Sequence, residues 1–300
     1  MKKQTKKRIT VAAGIAIAIV IVGFSRFTWK LSLYITEIDR QKSLERTGEF
    51  PPEAQTQKVR FQASDGIPLV GIWVPTPDEK AAVILCHGRG SGKGQFLDMG
   101  QIRFLFENGY SSFAFDFRAT GESGGKHCTL GALEKLDLTA AISEVRKLTK
   151  SPIILWGISM GAATAILVGA EDPDIALIIA ESSYESFDGT VEHHHRLNFR
   201  LPRWPMTPLA CWITEWRTGC DIQDADMTKA AANLGDTPLL QVHCEKDIRT
   251  TEEIEKRIFE EVKGPKEFLT IPHAEHGKAF EAGGQAYRAK ILSYLSSLKS

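Results

Sequence analysis

Ser159 stands in Gly157-Ile158-Ser159-Met160-Gly161, a G-x-S-x-G stretch that follows the apolar run "PIILW" (152–156) and continues as "GAATAILVGA". A serine hydroxyl is a poor nucleophile. It attacks a carbonyl only when a neighbouring base takes its proton and a third group orients that base. On a tight turn between a buried strand and a helix, its Oγ stands exposed at the carboxyl edge of a sheet. The flanking glycines relieve crowding there, and the helix amino terminus favours developing negative charge. A motif this short also arises by chance, so the rest of the chain must supply the base and the acid.

Both follow in the order acid then base, each after a further apolar run. "HCEKD" places Asp247 just beyond the run "TPLLQVHC" (237–244), and "PHAEHGKAF" places His273 and His276 beyond "KEFLTIP" (266–272). His276, followed by a glycine, is the expected base, and His273, nearer the strand, is expected to be structural. Asp247 is the expected acid, with Glu245 and Glu181 as alternatives. Acyl transfer also needs donors for an oxyanion. The main-chain N–H of Met160, after the serine, is one; the other is expected from "HGRG" (87–90), through the N–H of Arg89. These are backbone roles, and the Arg89 side chain is expected in solvent.

The elements that must position these residues alternate along the chain. "KVRFQASDGIPLVGIWVP" (58–75) predicts two strands joined at Asp65-Gly66. "AAVILC" (81–86), "YSSFAFDF" (110–117), "PIILW", "IALIIAESS" (175–183) and the two runs named above read as strands. Helical periodicity falls between them at 96–108, 129–148, 251–262 and from about 279 to 298. That alternation predicts an α/β fold, a mainly parallel sheet covered by helices on both faces. Residues 184–236 interrupt the rhythm and are expected to form a lid. Phe199, Leu201, Trp204, Met206, Leu209, Trp212 and Trp216 within them would suit either an apolar pocket wall or packing onto the sheet.

Taken with "DFRATGESGG" (116–125), a D-x-R-x-x-G-x-S-x-G stretch, these motifs resemble the α/β-hydrolase superfamily. They are most similar to membrane-anchored bacterial members of its monoglyceride-lipase and serine-aminopeptidase-like branch, over roughly residues 58 to 298. The resemblance implies a serine hydrolase acting on an ester or thioester, or less often an amide, without a cofactor. Two departures lie beside Asp247: Cys244 stands where a glycine usually follows His243, and "DIRT" replaces the more usual D-x-x-V-P. A peptidase or acyltransferase on the same triad, and a non-catalytic binding protein that kept the fold, are the competing readings.

The amino terminus adds a membrane. Lys2, Lys3, Lys6, Lys7 and Arg8 precede an uncharged apolar run of 17 residues, Ile9 to Ser25. As a helix that run reaches roughly 26 Å against a bilayer core of about 30 Å, and Arg26, Phe27 and Trp29 suit its far boundary. Residues 1–29 are therefore expected to be a basic tail and anchor (or a signal peptide), 30–55 a tether and 56–300 the hydrolase domain. The positive-inside rule places that domain outside the cytoplasm. Since the chain is neutral overall, the body carries a net charge of −5 with no basic stripe, which argues against nucleic acid as a partner. Cys86, Cys128, Cys211, Cys220 and Cys244 lack C-x-x-C spacing, so no zinc site is implied. Outside the cytoplasm, Cys211 and Cys220 are near enough in sequence to pair. "EHHH" (192–195) has poor spacing for one metal ion, and the Gly-rich 88–94 lacks the ending of a phosphate loop.

Overall fold

A computed structural model describes residues 2–44 and 48–297, with side chains from residue 14 onward except that of residue 17. Eight strands form one sheet: β1 (Gln57–Gln62), β2 (Pro68–Val74), β3 (Ala82–Cys86), β4 (Ser111–Asp116), β5 (Ile153–Ile158), β6 (Ile175–Glu181), β7 (Leu239–Cys244) and β8 (Lys266–Ile271). Their order is β1-β2-β4-β3-β5-β6-β7-β8, antiparallel across β1/β2 and β2/β4 and parallel elsewhere. The expected hairpin turns at Gly66, whose φ of 87° a side chain would resist.

Alternation along β5 shows how both faces are filled. Ile153 and Leu155 point into one core, while Ile154, Trp156 and Ile158 point into the other. A strand buried on both faces reads as an unbroken apolar run, which is why β3, β5 and β6 were legible.

The helices that matter here are α1 (Lys2–Thr36), α2 (Gln101–Glu107), α3 (Glu134–Leu148), α4 (Met160–Gly169), α5 (Phe187–Phe199), α6 (Arg203–Thr218), α7 (Glu252–Glu261) and α8 (Gly284–Ser296). The periodic stretch at 129–148 starts its helix late. The buried Glu134 carboxylate takes the Thr129 and Gly131 N–H groups at 2.9 and 2.8 Å, holding those residues in a turn.

The amino-terminal segment corrects one expectation. The described residues of the expected 30–55 tether are docked in part. α1 runs unbroken to Thr36, and its last turns pack on α6, with Thr28, Leu31, Ser32, Ile35 and Thr36 buried. Ser32 bonds Thr214 at 3.0 Å, and Arg217 donates to Ser32 and Thr36, each at 3.0 Å. Farther along, Arg40 donates to the Gly125 carbonyl at 2.8 Å. Among the described side chains, those from Gly14 to Phe27 are exposed, and by length and composition this helix can cross a membrane. The basic side chains of residues 2–8 lie outside the described residues.

The Cys211–Cys220 pairing is not made. Both thiols are free and buried. α6 continues from Cys211 to Thr218, which sets the ends of that segment roughly 10 Å apart, whereas a disulfide wants its Cα atoms within about 7 Å. The Cys220 sulfur instead takes the Thr218 hydroxyl at 3.1 Å.

Candidate active site

Ser159 lies between β5 and α4 with φ 54° and ψ −115°, a conformation that costs a non-glycine residue on the order of 1–3 kcal/mol. The surroundings enforce it. A Cβ on Gly157 would come within 2.3 Å of the Gly161 carbonyl oxygen, and one on Gly161 within 1.9 Å of the Cys86 carbonyl oxygen. Both glycines of the motif are thus demanded by the closeness of β3, β5 and α4. The Ser159 N–H is held by the Glu181 carbonyl at 2.8 Å.

His276 reaches the serine from the loop after β8. Its Nε2 lies 3.0 Å from Ser159 Oγ, and its Nδ1 lies 2.7 Å from Asp247 Oδ2. The neighbouring Gly277, at φ 66°, donates its N–H to Ser182 Oγ at 3.1 Å and fixes the loop. Asp247 sits in the loop after β7, buried, and accepts four hydrogen bonds. Arg249 N–H (2.8 Å) and Thr250 N–H (3.0 Å) go to Oδ1, while the Thr250 hydroxyl (2.6 Å) joins His276 on Oδ2. Burial alone would raise this carboxyl. The bond from His276 and then those from Thr250 outweigh it and bring the pKa down to about 2. The unusual "DIRT" therefore supplies three of the four donors, and Thr250 is a contributor that sequence reasoning missed.

The other acids and the other histidine fall elsewhere. His273 is 80% exposed, and its N–H donates to Glu245 at 2.6 Å, so this pair stands apart from the serine. Glu181 is buried at the end of β6 and takes the Ala279 N–H at 2.8 Å, with its second oxygen unpartnered among the described residues. Burial, with the Asp247 charge adding, raises its pKa to about 7. A carboxyl raised in the fold contributes stability in full below the ordinary value of 4.5, and that contribution is lost as pH rises through about 7. Glu181→Gln keeps the acceptor for Ala279 and abolishes the buried charge. Its Tm relative to wild type is expected to rise by several degrees between about pH 5 and about pH 8, read by calorimetry. A pH-independent difference would contradict the assignment.

The "HGRG" loop runs beside the serine: a Cβ on Gly88 would lie 3.6 Å from that of Ser159. His87 braces it, contacting the Gly88 carbonyl through Nδ1 at 2.7 Å and accepting the Phe117 N–H on Nε2 at 3.0 Å. Among the described residues, neither the Arg89 nor the Met160 main-chain N–H donates to an internal acceptor. The Arg89 side chain is exposed, as expected, but it is also engaged: its guanidinium donates to the carbonyls of Tyr34 (2.7 Å), Ile35 (3.1 Å) and Glu37 (2.7 Å), capping the carboxyl end of α1.

A cavity of about 520 Å³ opens over Ser159 and His276. Apolar wall comes from Ile35 of α1, Leu130, and Val191 and Leu197 of α5. Thr190, His194 and His195 add polar groups. The Thr190 hydroxyl and both His195 ring nitrogens are buried without partners among the described residues. Burial lowers the pKa of both histidines, His194 to about 4 with the His193 charge adding, so the cavity presents neutral imidazoles. The seven apolar residues proposed from 199–216 do not line it. Leu201 and Met206 pack on the core, and Trp204, Trp212 and Trp216 face outward.

"DFRATGESGG" is scaffold. Arg118 binds the buried Asp137 at 2.6 Å and Asp65 at 2.8 Å, tying the β4 loop to α3 and the first hairpin.

Residues 77–197 match the family described as serine aminopeptidase, S33. The chain is 27% identical over 250 residues to the uncharacterized protein YqkD of Bacillus subtilis, covering 81% of each chain. It is 26% identical over 173 residues to human monoglyceride lipase, covering 54% of this chain and 56% of that one. Among solved structures, a Pyrococcus furiosus esterase superposes with a TM-score of 0.70 at 24% identity, covering 89% of this chain and 99% of the esterase. The sheet, the elbow at Ser159 and these matches together give the chain the α/β-hydrolase fold and identify a serine hydrolase of the esterase/lipase type.

Proposed function

We propose that the chain is a membrane-anchored hydrolase that cleaves an acyl ester or thioester through Ser159, His276 and Asp247. The observation that carries this reading is the unbroken line of contacts, 3.0 Å from Ser159 Oγ to His276 and 2.7 Å from His276 to Asp247, opening on an apolar-walled cavity.

The Asp247 carboxylate keeps the proton of His276 on Nδ1, which leaves the Nε2 lone pair to take the serine proton. Oγ then bonds to the carbonyl carbon, and the carbonyl oxygen becomes an anion held by the Arg89 and Met160 N–H groups. His276 returns its proton to the leaving alcohol or thiol as that bond breaks, giving an acyl-enzyme. Water, deprotonated by the same imidazole, releases the acid. Of the two carboxylates on the cavity wall, Asp98 accepts the Gly48 N–H at 2.9 Å, and Glu281 pairs with Lys278 at 2.9 Å. Each could still take a further hydrogen bond, so the preference for an ester over an aminopeptide rests on the apolar wall. α1 serves as the anchor, with its basic end inside and the hydrolase outside the cytoplasm.

A fluorophosphonate probe tests the chemistry directly. Stoichiometric labelling at Ser159, blocked by His276→Ala, is expected; failure of folded protein to label would leave a binding role for the cavity. Comparing p-nitrophenyl esters with aminoacyl anilides then separates esterase from peptidase.

A further inference from the structure

On α6 the usual distribution of side chains is inverted. Its buried stripe is Thr207, Ala210, Cys211 and Thr214, whereas Trp212 and Trp216 are 63% and 71% exposed. A helix packed on a water-soluble domain puts its large apolar residues inward. Spaced four apart, the two indoles share one face. Trp29 of α1 extends that face: it meets Trp216 edge-on at 6.0 Å, beneath the Arg217 guanidinium at 5.1 Å. Toward the amino terminus, beyond Ser25 and Arg26, Ile19, Val20, Ile21 and Val22 of α1 are all more than half exposed.

That arrangement names the occupant. Grouped exposed indoles mark a contact surface, and rings with an apolar body and one N–H donor suit the headgroup boundary of a bilayer. The register of α1 agrees. Ile9 to Trp29 is 21 residues, roughly 31 Å of helix, the thickness of a hydrocarbon core of about 30 Å. A bilayer crossed by α1 therefore holds Trp29, and Trp216 beside it, at its far boundary, where the exposed Arg26 and Lys30 also stand. Tyr34 and Ile35, which line the cavity, follow five and six residues later, roughly 8–9 Å along the same helix.

We infer that Trp29, Trp212 and Trp216 form a single lipid-contacting surface that seats α6 in the headgroup layer and holds the cavity against the membrane, so that the acyl ester it cleaves is drawn from that bilayer. The inference rests on the anchored-esterase reading and specifies its substrate source. An acyl chain entering so close to the boundary exposes few methylenes to water on its way to Ser159, and each methylene exposed opposes extraction.

The full chain, reconstituted into phosphatidylethanolamine/phosphatidylglycerol vesicles, tests this. Vesicles are made with ordinary or dibrominated acyl chains and washed in alkaline carbonate before tryptophan emission is read. Of the six tryptophans, Trp73 and Trp156 are buried in the domain and beyond the reach of bromine. Brominated chains are expected to quench the wild type, and W212F/W216F should lose about half or more of the quenched fraction. The same variant should hydrolyse p-nitrophenyl acetate at the wild-type rate but a long-chain ester embedded in the vesicles several-fold more slowly. Protein that survives the wash yet is quenched equally in wild type and variant overturns the surface. So does shielding from acrylamide without bromine quenching, which would seat a second copy of the chain there. Loss of the protein in the wash removes the anchor and the surface with it. If the wild type leaves p-nitrophenyl acetate intact, the esterase reading falls and with it the claim on substrate source; quenching then still decides the lipid contact by itself.

Discussion

Ser159→Ala is expected to lower kcat for ester hydrolysis by about six orders of magnitude, with little change in KM or in Tm. Alanine keeps the Cβ and the backbone strain at φ 54°, and the Glu181 carbonyl still holds the N–H of residue 159. What disappears is the only atom that bonds to the substrate carbon. The residual rate comes from the cavity and the two oxyanion donors acting on water. Steady-state hydrolysis of a p-nitrophenyl ester measures it, after fluorophosphonate treatment to silence contaminating esterases. A variant turning over within tenfold of wild type would refute the nucleophile.

Asp247→Asn should cost about four orders of magnitude in kcat, and the hydrogen bonds around the carboxylate say why. Oδ1 accepts two backbone N–H groups, so the asparagine carbonyl must take that side. The amide nitrogen then faces His276 Nδ1 and donates to it. The imidazole is forced into the tautomer with its proton on Nε2, where it has no lone pair for Ser159. The wrong tautomer, rather than a lost contact, stops the reaction, so KM should hold while kcat collapses. Fluorophosphonate labelling slowed in parallel would confirm the step affected. Activity within tenfold of wild type would mean that another acid orients the base.

The line from Ser159 to Asp247 was legible because each of its residues closes an apolar run. A parallel sheet gathers the ends of such runs at one edge, so the order Ser159, Asp247, His276 along the chain becomes a site in space. The order of strands in the sheet carried no local signal. Nor did the partner of Arg89, whose backbone position followed from the loop but whose side chain reaches carbonyls more than fifty residues away. The docking of α1 did leave a trace: Thr28, Leu31, Ser32, Ile35 and Thr36 recur at three- and four-residue steps, a helical face hidden by the charges among them. In α6 the composition was apparent but its direction was not. Whether tryptophans fill a pocket, a core or a surface depends on what lies opposite, and here small residues made the inner face.

The Arg89 cap on α1 bears on where this molecule begins. A fragment trimmed to start at the first strand, Gln57, would keep every residue of the sheet and all of Ser159, Asp247 and His276. It would also strip Ile35 and Tyr34 from the cavity wall and leave the Arg89 guanidinium without its three carbonyls. The end of α1 is thus masonry of the cavity, and a domain cut free of it would be missing part of one wall.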